Sequence, residues 1–244
     1  MLRFMQGNTE VGYYNAAIKV KTILVTLITS LGTVLLPRLS YYIKKEKTED
    51  FYRMIGKAVN FVVVAGLPLT IYFMLYASES IQFLAGDGYQ GAVLPMIILM
   101  PTVLLIGMSN ITGIQILTPQ NQEQKVLNSI VCGAVADFLL NLVLIPKMAS
   151  SGAALATVCA FLVVFVTRGI DTRRYIKIDF KLPVLLSETA VLVSQSVLLL
   201  KFGNTLWIYG VEAALVVVMI LLNLKPIKEL VNLLLAKFIK KKKS

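Results

Sequence analysis

The sequence predicts an all-α protein, a polytopic bundle of about seven transmembrane helices. Hydrophobic residues make up 57% of the 244 positions and charged residues only 15%, and the mean hydropathy is +0.77. A soluble domain usually has about 45–50% apolar and about 25% charged residues. Apolar runs of roughly twenty residues recur along the whole chain, and this is the length that crosses a bilayer core.

The individual spans are apolar runs bounded by charges, glycine or proline. We place them at 15–42, 51–76, 91–118, 126–145, 151–170, 182–202 and 205–224. The first three are long enough to tilt or kink, and each holds an internal proline: Pro37, Pro68 and Pro101. Between the second and third, "ASESIQFLAGDGYQG" predicts a short interfacial helix and a glycine turn.

Three segments follow from these spans. Residues 1–180 hold the first five helices, 181–224 hold two additional helices, and 225–244 form a basic amphipathic tail. The tail places leucines and a phenylalanine on one face and ends in a lysine run, so we expect it to lie on an anionic membrane surface.

The basic residues predict the orientation. Of the 24 lysines and arginines, 19 fall in one alternating set of connections with the tail, and 5 fall on the other side. The C-terminus is therefore expected in the cytoplasm and the N-terminus outside. Because nothing precedes the first span to establish an external N-terminus, we expect that an earlier portion of the protein is missing.

The formal net charge of +11 is explained by this topology and by contact with lipid headgroups. The basic residues lie beside membrane spans instead of on a soluble face, so nucleic acid is not an expected partner. There is no histidine, and Cys132 and Cys159 lie in apolar runs without metal-ligand spacing. We therefore predict no metal, no disulfide and no cofactor.

The first span carries a polar face. Its members recur at intervals of three and four residues, which places them on one side of a helix: Asn15, Lys19, Thr22, Thr26, Thr29 and Thr33. One interpretation is a helix that lines a hydrophilic cavity, with Lys19 as a positive charge near its outer mouth. The other is that the threonines bond their own backbone while Lys19 and Lys21 snorkel to the interface. For Lys21, which lies off this face, we favour snorkelling.

The fourth span has a second polar face, in which Ser129, Gly133, Asp137 and Asn141 recur every four residues. Asp137 falls near the middle of the membrane, where an ionisable group costs roughly 2.5 kcal/mol or more. It is a proton- or cation-coupling group, a partner for a lysine, or a protonated packing group. Elsewhere Asn110 and Gln115 are expected to bond between helices, and the acids at 188 and 212 to pair within the last two spans.

These features favour a transporter over an enzyme. We find no nucleophile–base pair, no glycine loop that cradles phosphate and no metal cluster, so we predict no catalytic residue. Polar faces on proline-bent helices around a central space are typical of a secondary transporter. A purely structural membrane subunit would not require an aspartate in mid-membrane.

Four stretches carry a family resemblance. "MLRFMQGNTEVGYYNAAIKV…LPRLS", "ASESIQFLAGDGYQGAVLPM", "SNITGIQILTP" and "LNLVLIPKMASSGAALAT" cover roughly residues 1–160 in family order. They resemble the C-terminal half of bacterial oligosaccharide flippases, the Wzx-type polysaccharide-biosynthesis membrane proteins of the multidrug/oligosaccharidyl-lipid/polysaccharide exporter superfamily.

The resemblance implies the C-terminal lobe of a two-lobed, alternating-access bundle whose N-terminal lobe is absent from this chain. It implies transfer of a polyprenyl-diphosphate-linked oligosaccharide across the bacterial cytoplasmic membrane for capsule, exopolysaccharide or O-antigen synthesis. Lys19 and Arg38 would then meet the diphosphate, and the polar face of the first span would bind sugar hydroxyls. Asp137 with Asn141 would respond to a proton or cation.

The sequence departs from the family pattern at three positions. Arg3 replaces a common glycine, Asp137 stands where we expect asparagine, and Phe161 where we expect an acid. Asp137 is therefore a candidate to replace the acid missing at Phe161. The alternative function is export of a drug or small solute by the same superfamily, although an exporter of cationic drugs is not expected to line its cavity with lysine.

Overall fold

The computed structural model describes residues 1–173, together with Ala214 and Val217. Every regular element in this part of the chain is helical, which confirms the all-α prediction. The α-helices are α1 (Leu2–Gln6), α2 (Asn8–Lys44), α3 (Thr48–Leu75), α4 (Ala77–Ala85), α5 (Val93–Leu99), α6 (Thr102–Asn110) and α7 (Glu123–Thr172). The predicted spans 182–202 and 205–224, the acids at 188 and 212, and the tail 225–244 lie outside the described residues, apart from Ala214 and Val217.

Within the described residues, four helical stretches are long and apolar enough to cross a membrane: α2, α3, Thr102–Gln120 and α7. The 50 residues of α7 would extend about 75 Å as one straight helix, more than twice the bilayer core. The helix is instead broken at Ala149, where φ is 49° and ψ is −126°.

The two halves of α7 form an antiparallel hairpin. Arg168 Nε donates to Ser129 Oγ at 2.8 Å, and Lys125 Nζ lies 3.8 Å from Asp171 Oδ1, so residues near the start of the helix meet residues near its end. The halves correspond to the predicted spans 126–145 and 151–170, which the structure joins through one residue in an unusual backbone conformation instead of through a loop.

Backbone groups at the α7 break bond to the first residues of the chain. Gln6 Nε2 donates to the carbonyl oxygen of Ile145 at 3.1 Å. The backbone N–H of Ser150 donates to Glu10 Oε2, also at 3.1 Å. A helix end leaves such groups without intrahelical partners, and an acidic side chain is favourable where a new helical segment begins. Gln6 and Glu10 therefore stabilise the break.

The third predicted span is divided at its proline. Regular α-helix is interrupted at Met100 and Pro101, between α5 and α6, although both residues keep helical φ and ψ. After α6 it continues as a π-helical turn over Ile111–Leu117 and a short 3-10 turn over Thr118–Gln120. The segment "ASESIQFLA" forms α4, as the sequence predicts, and Gly86 with φ 86° ends it.

The core lies on one face of α2. Its buried residues recur at intervals of three and four and pack towards α3, α5 and α6: Ala17, Val20, Leu24, Ile28, Leu35 and Leu39. Helices approach closely where glycine is present, since a β-carbon at Gly107 would lie 2.7 Å from Val62 Cγ1 on α3. This packing uses the apolar face of α2 and leaves its polar face free.

Candidate functional site

The polar face of α2 lines an open groove against α4. The groove has a volume of about 1020 Å³. Its α2 wall includes Asn15, Lys19, Thr22 and Thr26. Ile81 and Leu84 of α4 and the ring of Tyr89 supply the opposite wall. Four of the six residues of the predicted polar face therefore share one concave surface.

Lys19 is the positive charge of this groove. Its side chain is exposed, and no ion pair or hydrogen bond to it occurs within residues 1–173. Across the groove, Tyr89 packs edge-on against Tyr13 of α2 with 6.1 Å between ring centroids. The groove thus has an aromatic wall on one side and an unpaired ammonium on the other.

The threonine hydroxyls bond within their own helix. Thr22 Oγ1 donates to the carbonyl oxygen of Ile18, and Thr26 Oγ1 to that of Thr22, each at 2.8 Å. Thr29 and Thr33 make the same kind of bond. The self-bonding interpretation is therefore correct for the hydroxyl hydrogens, while the oxygens of the exposed threonines keep lone pairs that can accept further bonds.

Three other predicted residues lie apart from the groove. Thr29 is half-buried, Thr33 is exposed further along the helix, and neither lines the groove. Arg38 donates from Nε to the hydroxyl of Tyr42 at 2.8 Å and stacks on the same ring. Lys19 and Arg38 are separated by roughly 28 Å along the helix axis, so they cannot contact one diphosphate at the same time.

Asp137 lines a second pocket, along the seam between α6 and the two halves of α7, and Asn141 lies one turn beyond it on α7. This pocket has a volume of about 560 Å³ and is lined by both Asp137 and Phe161. Asn141 Nδ2 donates to Asp137 Oδ2 at 3.0 Å, as their four-residue spacing allows. Asp137 Oδ1 is buried without a hydrogen-bond partner in the described part of the chain.

Other residues of α2 contact the second half of α7 at Thr157 and Phe161, which line this pocket. The hydroxyl groups of Tyr14 and Thr157 lie 2.8 Å apart. One turn further along α7, the ammonium of Lys21 lies 5.8 Å from the centroid of the Phe161 ring. The snorkelling interpretation of Lys21 did not anticipate this contact, which turns the lysine towards the bundle.

Sequence reasoning missed the role of Arg168, which it used only as one of the 19 basic residues that predict the orientation. Its side chain is 7% exposed, and Nη1 donates to the backbone oxygen of Ser109 at 2.8 Å in addition to the bond from Nε to Ser129. A β-carbon at Gly113, in the π-helical turn, would lie 2.6 Å from Nη1. One guanidinium thus joins α6, the π-helical turn and both halves of α7. A basic residue inside an apolar run was the available signal.

The sequence predicts interhelical hydrogen bonds from Asn110 and Gln115, but neither side chain makes one within the described residues, and Gln115 Oε1 is buried without a partner there. The two side chains instead lie against α2. A β-carbon at Gly32 of α2 would lie 2.6 Å from Asn110 Oδ1 and 2.8 Å from Gln115 Nε2. Both amides therefore press on the backbone of α2 at a glycine. They contribute to packing between α2 and the third span, and Asn110 also lines the Asp137 pocket.

Comparison with known proteins gives two matches. Residues 4–94 match the model of a family described as polysaccharide biosynthesis protein. The chain is 28% identical over 162 residues to the Escherichia coli (strain K12) protein named "Putative O-antigen transporter". This alignment covers 65% of the chain and 39% of the relative, so the chain spans about two fifths of that protein.

The apolar helices are typical of a membrane protein, and the two matches are to a family of polysaccharide biosynthesis proteins and to a protein named as an O-antigen transporter. Both matches confirm the resemblance to Wzx-type polysaccharide-biosynthesis membrane proteins that the sequence motifs predict.

Proposed function

We propose that this chain forms part of a flippase that moves polyprenyl-diphosphate-linked oligosaccharide repeat units across the bacterial cytoplasmic membrane. The product would serve the synthesis of capsule, exopolysaccharide or O-antigen. The name of the relative supports transport instead of enzymatic chemistry. Because the chain spans 39% of that relative, we propose that it acts with an N-terminal lobe and with surrounding membrane lipids.

The groove on α2 is the observation that carries this proposal. An amide, an ammonium and two threonine oxygens lie along one wall, and an aromatic ring lies on the other. Sugars bind through hydroxyl groups to such oxygens and amides and stack on aromatic faces, while a diphosphate requires a cation. Lys19 is the free cation of the groove within the described residues.

Arg38 would contact the diphosphate at a different stage from Lys19. The two lie roughly 28 Å apart along α2, and the proposed orientation puts Lys19 nearer the outer face and Arg38 nearer the cytoplasm. Arg38 would meet the headgroup on entry and Lys19 would meet it before release. Such a sequence is compatible with alternating access around helices that do not themselves unfold.

Asp137, with Asn141, is the proposed coupling group. Its carboxylate has one oxygen bonded to Asn141 and one free within the seam pocket. A proton or a cation would satisfy the free oxygen. An ionisable residue inside the membrane is a functional candidate because its cost must be offset by a role.

The experiment that tests the proposal replaces Lys19 in the full-length protein. Lys19→Ala, expressed in a strain that lacks the native gene, is expected to reduce polymer at the cell surface at least fivefold. Lys147→Ala is the matched control, since Lys147 is also exposed and is predicted on the same side of the membrane but lies outside the groove. Unchanged export by Lys19→Ala at normal protein levels would refute the role of the groove.

The same strains distinguish the flippase from the alternative function, export of a drug or small solute. An exporter of drugs or small solutes would change the sensitivity of the cells to toxic cations and leave surface polymer unchanged. The unpaired ammonium of Lys19 makes the groove a poor site for a cationic drug, so we expect the opposite result.

A further inference from the structure

Asp137 lines the seam pocket, Lys21 lies against Phe161 of the same lining, and neither charge has an ionic partner in the described residues. Asp137 Oδ1 is buried and accepts no hydrogen bond. The Lys21 ammonium is half-buried, and its described contact is the face of the Phe161 ring. We propose that Lys21 is the internal counter-cation of Asp137, which competes with a proton or an external cation for the free carboxylate oxygen.

Lys21 and Asp137 both lie near the turn of α7 that runs from Thr157 to Phe161. Thr157 and Phe161 are one turn apart, and the former bonds Tyr14 while the latter lies under Lys21. Asp137 lines the pocket with both Thr157 and Phe161. A lysine side chain has four rotatable carbon–carbon links, so its ammonium can swing from the ring towards the pocket without movement of α2.

No other described cation is as well placed. Arg168 lines the same pocket, but its donors are held by Ser129 and by the backbone of Ser109. Ser129 lies two turns before Asp137, about 12 Å along the helix. Lys19 is two residues from Lys21 and points into the groove on the opposite side of α2.

The ring of Phe161 gives the ammonium a resting place when it is not paired. A cation over an aromatic face is attracted to it, but an ion pair in a medium of low dielectric is stronger. The site therefore has two arrangements. Lys21 pairs with Asp137 when no external cation is bound, and it returns to the ring when a proton or cation occupies the carboxylate.

This makes Lys21 a positioning residue for coupling, and its effect on transport rests on the function proposed above. The pairing itself does not depend on transport. It is measured by thermal unfolding of the purified full-length protein in detergent, without any substrate. The Tm result can therefore be interpreted even if the protein is not a flippase.

The first arm is a double-mutant cycle with Lys21→Met and Asp137→Asn. We expect each single variant to lower the Tm by several degrees, and the double variant to lower it by clearly less than the two shifts combined. Lys19→Met combined with Asp137→Asn is the matched control, and its shifts are expected to add. Additive shifts for Lys21 and Asp137 would overturn the proposal.

The second experiment tests whether Lys21 competes with an external cation for the Asp137 carboxylate. A lysine with a purely structural role would not change the effect of such a cation on the Tm. The Tm is measured in sodium chloride and in choline chloride at equal ionic strength. We expect sodium to raise the Tm of Lys21→Met more than that of the wild type, because a cation that binds only the folded state stabilises it. The response is expected to vanish in the double variant and to return to the wild-type level in Lys21→Arg.

A folding defect is also informative. If Lys21→Met yields no folded protein but the double variant does, the rescue shows that the uncompensated carboxylate was the cause. If both fail while Asp137→Asn folds normally, Lys21 acts in packing alone and the proposal is wrong. A sodium response equal in Lys21→Met and the wild type contradicts it as well.

Discussion

The groove on α2 and the seam of α7 both hold polar residues inside a membrane bundle, but their hydrogen bonds run in different directions. In the groove, Thr22 and Thr26 bond carbonyl groups of their own helix. In the seam, Arg168 bonds Ser129 on the other half of α7 and the backbone of Ser109 on α6. The first pattern leaves a surface free for a ligand, and the second holds helices together.

This difference separates two kinds of polar residue that look alike in the sequence. Both regions show hydrophilic positions every three or four residues. A hydroxyl bonded to its own helix can face a cavity or a neighbour without much change in stability. A buried guanidinium bonded to α6 and to the other half of its own helix cannot be removed without leaving its acceptors unsatisfied.

The largest effect on stability is expected in the seam. Arg168→Met should lower the free energy of unfolding by about 2 kcal/mol, because two bonds from a charged donor are lost and the acceptors remain buried. Arg168→Lys keeps the charge but not the fork of donors, so it should recover only part of the loss. Thermal unfolding in detergent measures the stability of both variants. If Arg168→Met were as stable as the wild type, the hydrogen bonds of the seam would not hold the helices together more than those of the groove.

An intermediate effect on stability is expected at Asp137, which lies in the seam but has one carboxylate oxygen without a hydrogen-bond partner in the described residues. Asp137→Asn keeps the shape of the side chain and removes its charge. If the carboxylate is the coupling group, export should become insensitive to collapse of the ion gradient and fall severalfold. Asn141→Asp, which adds a carboxylate one turn away, is the companion variant. Wild-type export with unchanged ion dependence in Asp137→Asn would contradict coupling.

The smallest effect on stability is expected in the groove. Thr22→Val and Thr26→Val remove hydroxyls that bond only their own helix, so the free energy of unfolding should change by less than about 0.5 kcal/mol. Export should nevertheless fall severalfold if the oxygens bind sugar. Thr167→Val is the control, because Thr167 bonds its own helix in the same way and lies outside both sites. A clear loss of stability with unchanged export would show that these threonines act in packing and not in binding.

The sequence predicts the helices and the two polar faces well because both depend on local spacing. The intervals that place Asn15, Lys19, Thr22 and Thr26 on one side of a helix also place them in one groove. The four-residue step from Asp137 to Asn141 likewise becomes a hydrogen bond. The predicted roles of these residues in binding and coupling stay predictions.

Contacts between distant residues were not predictable from spacing. Arg168 and Ser129 are 39 positions apart, and they meet only because α7 reverses at Ala149. Nothing in the periodicity of "LIPKMASSG" indicates that a non-glycine residue adopts positive φ there. The meeting of Lys21 with Phe161 depends on the same reversal, together with the packing of α2 on the second half of α7.

The hydrogen bonds between the first residues of the chain and α7 can form only late in synthesis. Gln6, Glu10 and Tyr14 bond residues that follow them by 139 to 143 positions. At the usual rate of synthesis, on the order of ten seconds pass between the emergence of the two groups. If α2 enters the bilayer during that interval, Phe161 has not yet been made, and the Lys21 ammonium can reach only the membrane surface. We therefore expect the snorkelled position of Lys21 in the newly inserted helix and the contact with Phe161 in the assembled protein.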